Sequence, residues 1–182
     1  MKHVGTQTIQ TERLMLRRFT VDDAEPMFRN WASDPEVTRF LTWQVHSDVE
    51  APRGLLEMWV AEYEKPDYYQ WAIVYGGEAI GAIAIVSMDD RIEKCEVGYC
   101  IGKAFWGRGI MPEALKAVLD YMFDVVGMNR VEARHDANNP NSGTVMKKCG
   151  MKYEGTLRQA DWNNQGVCDA VHYALLKCER DN

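Results

Sequence analysis

Residues 95–109, Cys-Glu-Val-Gly-Tyr-Cys-Ile-Gly-Lys-Ala-Phe-Trp-Gly-Arg-Gly, run directly into Ile110-Met111-Pro112-Glu113, and this stretch restricts the fold more than any other. It reads as a β-rich run ending at Ile101, a glycine-rich turn and a helix start. Pro112 and Glu113 suit a first helical turn, where a missing N–H costs nothing and a carboxylate meets the positive end of the helix dipole. Such a turn presents unpaired backbone N–H groups to whatever sits above it. It is an anion cradle, and phosphate is the usual occupant. A Gly-x-Gly before a helix also occurs as a plain tight connection, so the spacing alone does not decide.

Two familiar phosphate loops are excluded. A dinucleotide fingerprint needs a third glycine where Pro112 stands, and the chain offers no βαβ unit at its start. A nucleoside-triphosphate loop needs Lys and then Ser or Thr after Gly-x-x-x-x-Gly. Gly102 and Gly107 have that spacing, but Arg108-Gly109 follow. What remains is a pyrophosphate cradle of backbone amides and one arginine, without a metal.

The run Trp106-Gly107-Arg108-Gly109-Ile110-Met111 resembles the acyl-coenzyme A loop of the GNAT N-acetyltransferase superfamily, Gln/Arg-x-x-Gly-x-Gly/Ala. Trp106 stands in place of Gln or Arg, and Met111 in place of a small residue. Both departures, within Trp-Gly-Arg-Gly-Ile-Met-Pro-Glu-Ala-Leu, resemble the RimJ/RimL-like branch, named for enzymes that acetylate ribosomal-protein N-termini. The resemblance begins near residue 10, where Thr11-Glu12-Arg13-Leu14-Met15-Leu16-Arg17 and then Asp22-Asp23-Ala24 follow that branch's usual opening.

Periodicity supplies the elements. Residues 14–19 alternate apolar and charged side chains as a half-buried strand does, and Ala24, Met27, Phe28 and Trp31 recur at helical spacing until Asp34-Pro35 stops them. After a loop from Glu36, a second helix from about Val49 carries Leu55, Leu56, Trp59, Val60 and Tyr63 on its apolar side. Residues 69–75 and 79–87 form a hairpin through Gly76-Gly77, and Asp89-Asp90 turns the chain into the central strand. Beyond the cradle, Leu115, Val118, Leu119, Met122, Val125 and Val126 make one long helix, which Gly127 ends. A strand over 131–135 leads to a helix that Asn139 caps and Pro140 opens, with Ser142 in its first turn. Residues 153–158 and 167–176 are a last strand pair with its tip at Asn163-Asn164-Gln165-Gly166. The order β-α-α-β-β-β-α-β-α-β-β is that of the GNAT plan. The resemblance implies an α/β fold, with a mixed sheet of about seven strands, helices on both faces and a splayed parallel strand pair. A single domain over 1–182, with its core at about 10–178, is expected.

Composition narrows the partners. Net charge is −6, with 21 Lys and Arg against 27 Asp and Glu, and there is no basic run. Nucleic acid is therefore not expected as a partner, while a cationic amine is tolerated or attracted. No apolar run approaches a membrane span and the first residues lack a signal peptide's apolar region, so no membrane partner is expected and the cytoplasm is the expected location. The five cysteines contain no Cys-x-x-Cys pair and the four histidines lack ligand spacing. Reduced thiols and no metal are expected.

The resemblance implies acetyl-CoA as co-substrate, held by Cys100, Ile101, Trp106, Gly107, Arg108, Gly109, Ile110, Met111, Asn139 and Ser142. It implies direct attack of a primary amine on the thioester in a gap between strands 96–101 and 131–135, with the backbone of Ile101 pairing with the pantetheine arm. Gly98 within the first strand is compatible with a bulge that causes the splay, and equally with a helix-covered sheet. The acceptor is expected near the first two helices and their connection, which makes Trp43 a candidate specificity residue, whereas most of Trp31, Trp43, Trp59 and Trp71 read as core. Removing a proton at neutral pH costs a lysine-like amine about 4 kcal/mol and an α-amine about 1 kcal/mol. A protein N-terminal α-amine therefore demands little of a base, and a ribosomal-protein-like N-terminus is the expected acceptor.

Glu96 is the candidate general base, through water, with a paired structural glutamate as the other reading and Tyr99 and Glu132 as weaker substitutes. The family's tyrosine donor to the leaving thiolate falls at Met146, which cannot donate. Asn139-Pro140-Asn141-Ser142 matches the branch's Asn-x-x-Ser and makes Ser142 the donor, or else a simple cap. A small-molecule amine acceptor (polyamine, aminoglycoside or amino acid) and a non-catalytic acyl-CoA sensor remain as alternatives, as does either a monomer or a homodimer.

Overall fold

The structure is a computed structural model that describes residues 1–180. Its strands are β1 (Ile9–Gln10), β2 (Met15–Arg17), β3 (Gln70–Tyr75), β4 (Glu78–Asp89), β5 (Lys94–Ile101), β6 (Arg130–Asp136), β7 (Lys152–Asn163) and β8 (Gly166–Leu176). The helices are α1 (Ala24–Met27), α2 (Pro35–Thr38), α3 (Glu50–Glu62), α4 (Ile110–Tyr121) and α5 (Pro140–Lys148). One mixed sheet takes all eight strands in the order β1-β2-β3-β4-β5-β6-β8-β7. The strand beyond the seven expected is the two-residue β1, too short to leave a period-two signal.

Strand alternation divides the core into two layers. On one face Leu16, Trp71, Ile73, Val97, Val131 and Tyr173 pack against Leu115, Val118 and Leu119 of α4 and Met146 of α5. Burying each of these α4 side chains contributes about 1.5–3 kcal/mol, and that burial, more than helix propensity, holds α4 on the sheet. On the other face Ala72, Val74 and Ala79 meet Met27 of α1, Trp31 of the π-helical turn that continues it (Phe28–Ala32) and Leu56 of α3. Trp31 and Trp71 are fully buried, and the Trp71 indole N–H donates to the Gln7 carbonyl at 2.7 Å. Both therefore belong to the core.

Several element ends differ from the sequence reading. Asp34 does not only stop the first helix: its carboxylate accepts from the Glu36 N–H at 2.8 Å and, with Pro35 at the first position, starts α2. Val60 lies on the exposed side of α3. Asn139 precedes α5 but makes no side-chain capping bond there. Gly76 and Gly77 both take positive φ (62° and 90°), as a two-residue hairpin requires.

Between β5 and β6 the sheet changes character. Their parallel pairing runs from Lys94↔Arg130 through Cys95↔Val131 to Glu96↔Glu132 and stops there. β5 nevertheless continues to Ile101 and β6 to Asp136, so the two strands part beyond Glu96. The irregularity associated with this is not in β5 at Gly98. It lies in β4, where the register shifts between Ile85 and Ser87 and leaves Val86 unpaired. A Cβ on Gly98 would come within 3.0 Å of Val86 Cγ1, so the glycine makes room for its neighbour's bulge.

Candidate active site

The splay between β5 and β6 opens beside two helix N-termini. α4 starts at Gly109, and its first backbone hydrogen bond runs from Glu113 N–H to the Gly109 carbonyl at 3.3 Å. The N–H groups of Ile110 and Met111 precede that bond, and Pro112 has none to offer. Gly107 and Gly109 both sit at φ 72°, a conformation that turns successive amides to one side and that side chains disfavour. The side chains of Ile110 and Met111 are buried beneath the turn, which leaves its backbone outward. Arg108 is exposed, its guanidinium resting 5.3 Å from the Tyr75 ring and 5.7 Å from that of Phe105, with a 3.2 Å bond to the Tyr75 hydroxyl. Positive charge, free amides and a helix dipole thus converge on one spot, which suits a diphosphate.

A brace from the N-terminus holds this cradle. Glu113 accepts from the Thr11 hydroxyl at 2.6 Å, the Arg13 N–H at 2.9 Å and the Arg13 guanidinium at 2.6 Å. Arg13 also donates to the Arg108 carbonyl at 3.0 Å. Burial alone would raise the Glu113 pKa, but the bonds from Thr11 and Arg13 outweigh it and hold the carboxyl below its ordinary value. In the sequence the Thr-Glu-Arg run reads as a strand opening and as part of the resemblance to the RimJ/RimL-like branch, with no partner indicated. Its link to Glu113, some 100 residues on, leaves no local signal.

Ile101 is buried in the α4-side core, and its carbonyl accepts the Trp106 indole N–H at 2.9 Å. Trp106 therefore seals the end of β5 and leaves its ring 44% exposed at the mouth of the cradle. Cys100 points to the other face, beside the cluster of the first three helices, and burial pushes its thiol up to about 12. The thiol is a packing group there, so any contact Cys100 makes in the gap is through its backbone.

Across the gap, on the α5 side, Ser142 faces Tyr99 of β5. The Ser142 hydroxyl donates to Tyr99 Oη at 3.1 Å, and the Tyr99 hydroxyl donates to the Ser142 carbonyl at 3.0 Å. Burial pushes the Tyr99 phenol well above its usual range, keeping it a neutral donor. His135 closes the same side, stacked 5.8 Å from Tyr173, with its Nε2 so near α5 that a Cβ on Gly143 would lie 2.5 Å away. Asn139 contributes its carbonyl to the Ser142 N–H at 3.2 Å.

Glu96 lies on the opposite face of β5 from Tyr99, since its neighbours Cys95 and Val97 point into the α4-side core. Its carboxylate pairs with the Arg134 guanidinium, which also reaches Asp161 at 2.6 Å. Glu132 is similarly engaged, by Arg130 at 2.7 Å and Lys94 at 3.1 Å. Burial would raise its pKa, and these two cations more than compensate. Among the described residues no group of three His, Cys, Asp or Glu side chains is arranged to hold a metal ion, and no helix is long and apolar enough to cross a membrane. Two open surface pockets, of about 510 and 500 Å³, are lined by other residues, one by Ile9, Thr11, Glu113 and Tyr121 and the other by Arg29, Asp34 and Phe105.

A parallel strand pair that parts beside a glycine-rich turn and a helix start is an arrangement suited to holding an acyl-CoA between strands. The chain belongs to the GNAT acetyltransferases: residues 13–152 match the family described as Acetyltransferase (GNAT) domain. It is 29% identical to the uncharacterized N-acetyltransferase p20 of Bacillus licheniformis over 95% of this chain and 98% of that one. With the ribosomal-protein-serine acetyltransferase of Escherichia coli it shares 24% identity over 94% of this chain and 97% of the relative. Its fold matches that of RimL, the ribosomal L7/L12 α-N-protein acetyltransferase solved with coenzyme A, at a TM-score of 0.83 and 19% identity over 93% and 98% of the two chains. A GNAT-family acetyltransferase from Bacillus anthracis matches at 0.82 and 23%, over 95% and 100%. The protein is an acetyl-CoA-dependent N-acetyltransferase.

Proposed function

We propose that the acceptor is the α-amine of a protein N-terminus and that transfer is by direct attack on the thioester in the β5–β6 gap. The observation that carries the mechanism is the Ser142–Tyr99 hydroxyl pair spanning that gap at the first turn of α5. Gly107 to Met111 and Arg108 hold the diphosphate of acetyl-CoA, and the unpaired edge of β5 from Val97 to Ile101 offers backbone groups to its pantetheine arm. Ser142 donates a hydrogen bond to the departing thiolate. A thiol pKa near 8.5 means that one such donor and the positive end of α5 give sufficient help.

The amine arrives from the face opposite Ser142, where Glu96 lies. Glu96, paired with Arg134, takes the amine's proton through water. That is adequate for an α-amine, about 1 kcal/mol from its free base at neutral pH, and poor for a lysine side chain at about 4 kcal/mol. The kinship with ribosomal-protein N-terminal acetyltransferases supports the same acceptor class. We extend the proposal to one domain acting as monomer or homodimer in the cytoplasm.

The test is a release assay for CoA thiol over Ser- and Ala-initiated peptides, spermidine, an aminoglycoside and free amino acids. Peptides are expected to give the highest kcat/KM. Ser142→Ala should lower kcat at least tenfold while acetyl-CoA Kd stays within twofold. Equal loss of both, or no loss, removes Ser142 from this role. Preference for spermidine or the antibiotic would redirect the acceptor assignment to small amines.

A further inference from the structure

The arginine of the cradle is held by groups to which the transfer chemistry gives no role. Its guanidinium lies 5.3 Å from the centroid of the Tyr75 ring and 5.7 Å from that of Phe105, and it donates to the Tyr75 hydroxyl at 3.2 Å. The two rings meet edge to face, with centroids 6.2 Å apart and planes at 72°. Arg18, Arg39 and Lys147 also lie over rings, but each over a single one. Among the described residues no carboxylate pairs with Arg108, whereas Arg13, Arg17, Arg130 and Arg134 each have such a partner.

The two rings are themselves fixed. Tyr75 is the last residue of β3, pairs with Glu78 across the Gly76-Gly77 turn and packs on the α4-side core. Phe105 packs on the same core from the short turn Lys103–Phe105. That turn is fastened by the Phe105 N–H to the Gly102 carbonyl at 3.0 Å and by the Gly102 N–H to the Ile80 carbonyl at 2.9 Å. The main chain of Arg108 is fastened separately, by Arg13 on its carbonyl. Residue 108 is therefore gripped at both ends, at its backbone by the start of the chain and at its guanidinium by β3. A carboxylate would hold the guanidinium as firmly, but it would neutralise the charge and compete with any phosphate. Ring faces and a hydroxyl hold it and leave the charge to a ligand. An unheld arginine loses rotamer freedom when it binds an anion, and one already held loses less.

We propose that Tyr75 is a positioning residue for acetyl-CoA, holding the Arg108 guanidinium at the cradle before the co-substrate arrives. This rests on the reading of residues 107–111 as the diphosphate cradle, and it adds a determinant of co-substrate affinity on another strand, 33 positions before the arginine it serves. Because Tyr75 acts through Arg108, it matters for the diphosphate that Arg108 meets and not for the pantetheine arm or the thioester. Tyr75→Phe keeps the ring and drops the hydroxyl bond. Tyr75→Leu keeps apolar bulk against Phe105 and drops both, so it should be the more severe.

Calorimetric titration of the full chain with acetyl-CoA tests this. Tyr75→Leu should raise the Kd about tenfold and Tyr75→Phe about threefold. S-acetylpantetheine, which carries the thioester and the arm but no diphosphate, should bind parent and variants within about twofold of one another by ligand-observed NMR. In an Arg108→Ala background, adding Tyr75→Leu should change acetyl-CoA affinity by less than about twofold, since the group it positions is gone. Tyr75→Phe, close to the parent in shape, carries the same cycle should Tyr75→Leu unsettle the end of β3. An unchanged acetyl-CoA Kd in both variants overturns the proposal. So does an equal loss for S-acetylpantetheine, which would make Tyr75 a general support, or a loss that persists without Arg108, which would make it an independent contact. If Arg108→Ala itself leaves acetyl-CoA affinity intact, the cradle reading falls and this proposal with it, which keeps the two failures distinct.

Discussion

The two sides of the β5–β6 seam are held together in different ways. From β1 to β5 every neighbour is antiparallel, with ladders interrupted only by the irregularities at Ile73–Val74 and Ile85–Ser87 and with bulky side chains filling both faces. From β6 through β8 to β7 the sheet is again antiparallel, but it joins the first block through three parallel pairs only. On the face away from α4 and α5, charged pairs such as Glu96–Arg134–Asp161 and Arg130–Glu154 take the place of an apolar layer. Continuous ladders and apolar packing provide rigidity, while a short seam allows a substrate to lie between strands. The chemistry sits where the protein has stopped pairing with itself.

The same substitution placed on each side of the seam measures that difference. Gly81 lies on β4, and a Cβ there would overlap the Cys100 carbonyl oxygen and come 2.9 Å from Ile101 Cα. Backbone atoms inside a ladder cannot step aside, so Gly81→Ala should cost about 3 kcal/mol, a Tm decrease of about 6–12 °C by scanning calorimetry. A loss of less than about 1 kcal/mol would break the comparison, since the ladder would then be as yielding as the gap.

Second in size is the ion pair between Arg17 and Asp23, two bonds of 2.7 and 2.8 Å that fasten β2 to the turn before α1. Asp23 is 4% exposed. Burial alone would raise its pKa, yet the bonds from Arg17 and Thr20 bring it below the ordinary carboxylate value. A depressed folded pKa means stability that is present above the unfolded value near 3.9 and is lost as pH falls through the folded one. Asp23→Asn should cost about 2 kcal/mol at pH 7, discounted from the usual 3–5 because Arg17 keeps some solvent contact. Urea titrations of the variant and its parent should converge once the pH falls below the depressed folded-state pKa. A constant offset across pH would show that the carboxylate's charge is not what matters.

Smallest in stability is Gly143→Ala at the gap. There the obstacle is the His135 ring, a side chain with room to turn, so the cost should be about 1 kcal/mol. Activity should suffer more than stability, with kcat/KM falling about tenfold as the first turn of α5 moves from Tyr99. A variant that loses stability and retains kcat/KM would place the rigidity on the wrong side of the seam.

Local pattern made most of this architecture legible. The turn before α4, the Gly76-Gly77 hairpin and the apolar face of α4 from Leu115 to Met122 are each set by residues close in sequence and form where the sequence places them, whereas Val125, expected on that apolar face, is exposed on a π-helical last turn. What escaped the sequence are contacts between distant segments: Thr11 and Arg13 on Glu113, Tyr99 on Ser142, Tyr75 on Arg108. A glycine at position 98 is compatible with a bulge in its own strand and equally with a covered sheet, and the register alone shows that the extra residue lies in the neighbouring strand, at Val86. Arg134 beside Glu96 was equally invisible, since the pair belongs to two strands that adjoin only through the seam.

The brace on Glu113 has a consequence for the order of events during synthesis. Thr11 and Arg13 leave the ribosome ahead of their partner, which follows about 100 positions later, roughly 5 to 20 s at ordinary elongation rates. Until then the opening segment has no carboxylate to grip, and α4 has nothing to steady its leading turn. Affinity for acetyl-CoA should therefore arise late and abruptly in the life of a nascent chain, when its beginning is finally joined to its middle.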